Sequence, residues 1–187
     1  MFILQISVSG FTDALVLTPE ALPQLWRFIT AIFLHGSLNH LLSNMFALFF
    51  FGLACESLLG GKRFLTTFLV TGVLANIISM FFYPASLGAS GALFGIIGCM
   101  LILRPHLNVF AFGMILPLWV ASCIWIGIDI VGVFVPSGTA NLAHLSGMLF
   151  GVIIGLLVHV PRERENQQVT FRLHEPSMRA WEDHHLR

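Results

Sequence analysis

Asn141-Leu142-Ala143-His144-Leu145-Ser146-Gly147-Met148-Leu149-Phe150-Gly151 opens a run that stays apolar to Val160, with Gly155 at the same spacing beyond it. The apolar residues are continuous rather than alternating, so the run is predicted as a helix and not a half-buried strand. Gly147, Gly151 and Gly155 recur every four residues and share one helix face. Such a small-residue stripe lets two membrane helices approach backbone to backbone. Four similar runs precede it. They cover about Leu41 to Leu59, Phe64 to Phe82, Ser90 to the residue before Arg104-Pro105, and Val109 to Val135 with Pro117 inside. In lipid only helices or closed barrels satisfy the backbone, and these runs are too long and too uniform for barrel strands. The expected fold is therefore all-α, a polytopic membrane helical bundle with five full spans.

Composition supports this reading and narrows it. The 187 residues are 57% hydrophobic and 10% charged, against roughly 45–50% and 25% in ordinary soluble domains. Nine basic and nine acidic residues cancel, so no net field draws the chain to nucleic acid. Ten of those charges lie in residues 162–187, which divides the chain into a transmembrane domain, 1–160, and a polar tail, 161–187. The tail is expected to be solvated and partly disordered. Cys55, Cys99 and Cys123 sit in apolar runs and read as free, buried thiols.

Charge also orients the spans. Lys62 and Arg63, Arg104, and Arg162 and Arg164 fall in alternate connections and in the tail, whereas residues 83–89 and 136–140 carry no Lys or Arg. By the positive-inside rule the former face the cytoplasm, and so does the C-terminus of an integral, multi-pass protein of the cell membrane. Only Arg27 departs from the pattern. Met1 to Val8 is apolar but far short of the ~20 residues a span needs. It reads as the end of a longer helix, with about 10–15 further apolar residues expected upstream of Met1.

Polar residues inside such spans are expensive and become candidate functional groups. His40 and Asn44 share a helix face at i, i+4; interhelical hydrogen bonding is one reading and a site is the other. His35 precedes them at the helix end, where a structural role is expected. Ser90 stands among small residues in Gly88-Ala89-Ser90-Gly91-Ala92-Leu93-Phe94-Gly95, at a helix N-terminus whose free N–H groups suit an oxyanion. It reads either as one more packing residue or as a nucleophile. His144 lies three residues before Gly147. If the glycine stripe packs on Gly91 and Gly95, His144 is carried towards Ser90, at a matching depth. A serine beside a histidine is a nucleophile with its general base. Asp129 is expected to be a capped or paired structural carboxylate near the outer end of a long span, and Glu56 lies at the cytoplasmic end. With no carboxylate evident as a third member, the expected chemistry is a dyad.

Taken together the chain resembles the rhomboid family of intramembrane serine proteases. The resemblance is carried by Trp26-Arg27, by His35-Gly36-Ser37-Leu38-Asn39-His40-Leu41-Leu42-Ser43-Asn44, by Glu56 with Gly60, by Gly88-Ala89-Ser90-Gly91 with Gly95, and by Ala143-His144 with Gly147 and Gly151. It covers about residues 22–160. It implies Ser90 as nucleophile, His144 as general base, and His40 and Asn44 as oxyanion donors together with the Ser90 backbone N–H. Trp26-Arg27 and Glu56 match positions that organise the preceding loop and the cytoplasmic turn. The family's minimal core has six spans, and here the first is represented only by residues 1–8. No metal or organic cofactor is implied. The expected partners are membrane lipid and single-span transmembrane substrates that enter laterally, and no nucleic acid. A catalytically silent scaffold that binds membrane helices is the alternative, and a histidine-rich carrier is disfavoured for want of acidic residues at shared depth.

Overall fold

The computed structural model describes residues 1–135, 138–158 and 160; the tail expected from 161 onward lies outside the described residues. Two short helices, α1 (Phe2–Ser7) and α2 (Phe11–Leu15), and one turn, α3 (Arg27–Thr30), precede the bundle. Next come α4 (Leu38–Ala47) and α5 (Leu53–Leu59), joined by a π-helical stretch, Leu48–Gly52, into one continuous helix. The bundle continues with α6 (Gly61–Met80), α7 (Ser90–Leu103), α8 (Leu118–Phe134) and α9 (Asn141–Leu157). Leu38–Leu59 and Gly61–Met80 are long and apolar enough to cross a membrane, and the other three are shorter apolar helices. The architecture is that of an all-α helical membrane bundle.

Local chemistry sets the boundaries. Ser37 caps α4, its Oγ accepting from the His40 N–H at 3.1 Å, as N-cap serines do. Pro84 follows the end of α6, and Pro117 sits directly before α8, where its missing N–H costs nothing.

One expected element is corrected. The run from Val109 to Val135 is not one helix. Its first part is an antiparallel hairpin, β1 (Asn108–Ala111) and β2 (Met114–Pro117), with Asn108 opposite Pro117 and Ala111 opposite Met114. Phe112 and Gly113 form its two-residue turn at φ 55° and 79°, a backbone that no helix offers and that tight hairpins require. The helix begins only after Pro117, which cannot lie inside one without loss of a hydrogen bond.

Helix α7 is the centre of the molecule: Gly91 to Leu93 and Gly95 to Met100 are all buried, which suits a helix apolar on every side. It packs in parallel on α9 through the predicted stripe. A Cβ on Gly147 would collide with the Gly91 carbonyl oxygen, one on Gly151 with the Gly95 carbonyl oxygen, and one on Gly155 would lie 2.8 Å from the Cys99 oxygen. The other face of α7 meets α6, where Gly95 abuts Thr71. By contrast α8 is peripheral; its only buried residues are Leu118, Ala121, Ser122 and Asp129, so Cys123, expected to be buried like Cys55 and Cys99, is exposed. Trp125 ties it to its neighbours, with ring centroids 5.9 Å from Phe51, 6.3 Å from Phe94 and 5.5 Å from Phe112 on the hairpin tip.

The segment before α4 braces the loop that leads into α7. Arg27 donates from Nη1 to the carbonyls of Asp13 and Val16, at 2.7 and 2.8 Å. Leu17 and Ser86 exchange backbone hydrogen bonds, and the Gly88 N–H donates to the Ala31 carbonyl at 2.9 Å. Asn76 on α6 donates to the Phe28 carbonyl at 2.8 Å. Arg27 thus ties residues 13–16 to the turn before α4, within the loop that its place in the motif implies it organises. Residues 1–8 form the short α1, and Gln5 docks it on the backbone of His35.

Candidate active site

Ser90 opens α7 and His144 lies in the first turn of α9, so the parallel packing of these two helices sets both at one end of the bundle. Both line a cavity of about 1040 Å³, shared with His40 and Asn44. All four residues singled out in the sequence therefore face one space. Among the described residues no hydrogen bond links Ser90 Oγ to His144, whose side chain is hydrogen bonded to Asp129 instead.

The imidazole of His144 is fixed in two ways. Its ring stacks on Phe94, with centroids 4.3 Å apart and planes 6° from parallel. Phe94 is one turn beyond Ser90, so this stack holds His144 over the face that carries the serine. Its Nδ1 is hydrogen bonded to Asp129 Oδ1 at 3.0 Å. The sequence reading that no carboxylate joins the pair at its depth is therefore corrected. Asp129 lies five residues before the end of α8 and His144 three residues after the start of α9. At 1.5 Å per residue the two depths agree to about 3 Å. Asp129 is buried, and its Oδ2 has no hydrogen-bond partner among the described residues. Phe94 has a signal in its i+4 spacing from Ser90, and Asp129 in its count from the helix end.

On the opposite wall, Gly88 permits the approach of His40. A Cβ there would lie 2.6 Å from His40 Cε1 and 2.9 Å from Nε2, with Asn44 Nδ2 at 3.8 Å. Gly88 also has φ +122°, a backbone disfavoured for any residue with a side chain. Asn44 is 5% exposed and its Nδ2 has no partner among the described residues, so an unspent donor is buried at the edge of the cavity. Tyr83 closes the ring of contacts, its hydroxyl oxygen accepting from the Leu142 N–H at 3.1 Å.

His35 belongs beneath the site rather than in it. Its ring meets His40 edge-on at 5.2 Å and is 4% exposed. Burial pushes its pKa below the ordinary histidine value, and the neighbouring His40 acts in the same direction.

The amino-acid sequence has counterparts among known proteins. The rhomboid domain model matches residues 22–161. The mitochondrial Rhomboid protein 1 of Saccharomyces cerevisiae is 30% identical over 79% of this chain and 51% of its own length. RHOMBOID-like protein 7 of Arabidopsis thaliana is 34% identical over 79% of this chain and 48% of its own. Rhomboid protease GluP of Bacillus subtilis is 32% identical over 73% of this chain and 27% of its own. The chain spans about half the length of the yeast and plant relatives. The matched region runs from the brace before α4 through the glycine-packed pair α7 and α9, and on that ground this chain belongs to the rhomboid family.

Proposed function

We propose that this chain is an intramembrane serine endopeptidase that cleaves single-span transmembrane substrates in or near the bilayer. The carrying observation is that Ser90, His144, His40 and Asn44 line one cavity, with His144 stacked on the residue one turn beyond Ser90. His144 Nε2 takes the Ser90 hydroxyl proton as Oγ attacks the scissile carbonyl carbon. The resulting oxyanion is met by the Ser90 N–H, the Asn44 amide and His40, all donors set before the charge develops. The C–N bond then breaks, the proton passes from His144 to the leaving amine, and an acyl-enzyme remains on Ser90. Water, activated by the same histidine, releases the second product. The cavity admits that water, and substrate helices reach it from the side. We place the protein as a multi-pass protein of the cell membrane with its C-terminus in the cytoplasm, on the charge asymmetry of its connections.

The test is cleavage of a single-span reporter by the purified chain in proteoliposomes, alongside Ser90→Ala and His144→Ala. Each substitution should abolish cleavage while leaving a folded, inserted protein. The double variant should lose little more than either single one, because the pair acts as a unit. Near-native cleavage by Ser90→Ala overturns the assignment. A wild-type chain that binds the reporter without cutting it indicates the scaffold instead.

A further inference from the structure

We infer that Asp129 is the positioning residue of this site: it holds His144 by Nδ1–H, leaving Nε2 free to take the Ser90 proton, and stabilises the imidazolium that results. The inference rests on the roles proposed for Ser90 and His144.

Three observations carry it. The first is placement. Helix α8 buries only four residues, and the acid is the one in its outer half, turned to the first turn of α9. The second is the hydrogen bond itself, 3.0 Å between side chains that are 5% and 12% exposed. Phe94 fixes the plane of the ring from the other side. A stack still allows the ring to turn within its own plane, and the bond to Asp129 removes that freedom. The third is the isolation of the carboxylate. His144 is its one hydrogen-bond partner among the described residues, and Oδ2 is buried without any. A buried carboxylate is costly when its one contact is a neutral imidazole, and much less so when that imidazole becomes a cation. The interaction therefore strengthens as the proton moves from Ser90 to His144, which is the condition for an interaction to speed a reaction rather than only bind the ground state. A carboxylate kept only to join α8 to α9 gains nothing at that moment.

The groups facing His144 are Asp129 from α8, Ser90 and Phe94 from α7, and, across the cavity, His40 from α4 and Tyr83. The experiment compares wild type, Asp129→Asn and Ser90→Ala as full chains in proteoliposomes. Asparagine keeps the size and a hydrogen bond but removes the charge and allows the wrong tautomer. The kcat of Asp129→Asn should fall on the order of 100- to 10,000-fold, with KM little changed. In 15N-histidine NMR of wild type, neutral His144 should carry its proton on Nδ1, not on the Nε2 that free imidazole side chains favour. If Asp129→Asn does not fold, this tautomer decides, and a proton on Nε2 overturns the inference. Wild-type kcat in Asp129→Asn, with Ser90→Ala inactive, overturns it while leaving the protease reading intact. Cleavage by Ser90→Ala overturns both.

Discussion

The backbone contact between Gly147 and Gly91 gives a sharp perturbation. Gly147→Ala adds a single methyl group that carries no reactive atom, yet that carbon would be driven into the Gly91 carbonyl oxygen. The obstacle is backbone, with no flexible side chain to swing aside. Helix α9 must therefore back away from α7 by at least about 1 Å, since the carbon would otherwise lie well inside the contact optimum of roughly 3.5–4.0 Å. His144 lies three residues before Gly147 and moves with it, whereas Ser90 is anchored to α7 and to the braced loop before it. A shift of that size at reacting groups costs on the order of 100-fold in rate, and overpacking a tight contact costs about 1–3 kcal/mol of stability. The assay is reporter cleavage in proteoliposomes, with thermal unfolding in detergent measured in parallel. Gly127→Ala is the control, because a methyl group there meets nothing within 4 Å. Gly147→Ala should lose about two orders of magnitude in kcat/KM and Gly147→Val more, while Gly127→Ala stays at wild-type activity. Wild-type activity in Gly147→Ala and Gly147→Val would refute the claim that the glycine contact brings His144 to Ser90.

Two further outcomes follow from the opposite wall and from the histidine beneath it. Asn44→Ala should lower turnover by roughly 10- to 1000-fold, at or below the range for loss of one oxyanion donor, and the double variant with His40→Ala should lose more. Unchanged turnover in the double variant would leave these two residues as interhelical packing. The buried His35 should make stability depend on acid: its folded pKa is lowered by burial and by His40, so below the ordinary value of about 6.5 the unfolded chain takes the proton first. Stability from neutral His35 is therefore complete above that pH and is lost as pH falls through and below it. The melting temperature in detergent should drop between pH 7.5 and pH 5, and less so in His35→Asn; equal drops in both would place the acid sensitivity elsewhere.

The sequence carried the main helices because continuous apolar runs and their Pro, Gly and charge punctuation need no tertiary information to be read. It also carried the α7–α9 contact, because glycines four apart announce a face that another backbone must fill. The hairpin at 108–117 was hidden, since hydropathy does not separate an apolar ribbon from the first turns of a helix; Pro117 and the Phe112-Gly113 pair held the only signal. The Asp129 contact was hidden for a different reason. Distance along the chain separates it from His144 by 15 residues, and only counting both from their helix ends shows that they share a depth. Phe94 was in view beside Ser90, but that its ring would carry the imidazole depends on how α9 lies on α7, which the glycines imply and do not orient.

The central claim is that Ser90 is a nucleophile activated by His144. Its most direct measurement is reaction of the full chain with a fluorophosphonate, followed by peptide mapping of the adduct. The account predicts one stoichiometric adduct on Ser90, coincident loss of reporter cleavage, and no adduct in either Ser90→Ala or His144→Ala. An adduct mapping to another residue, or full cleavage by chain labelled at Ser90, would contradict it.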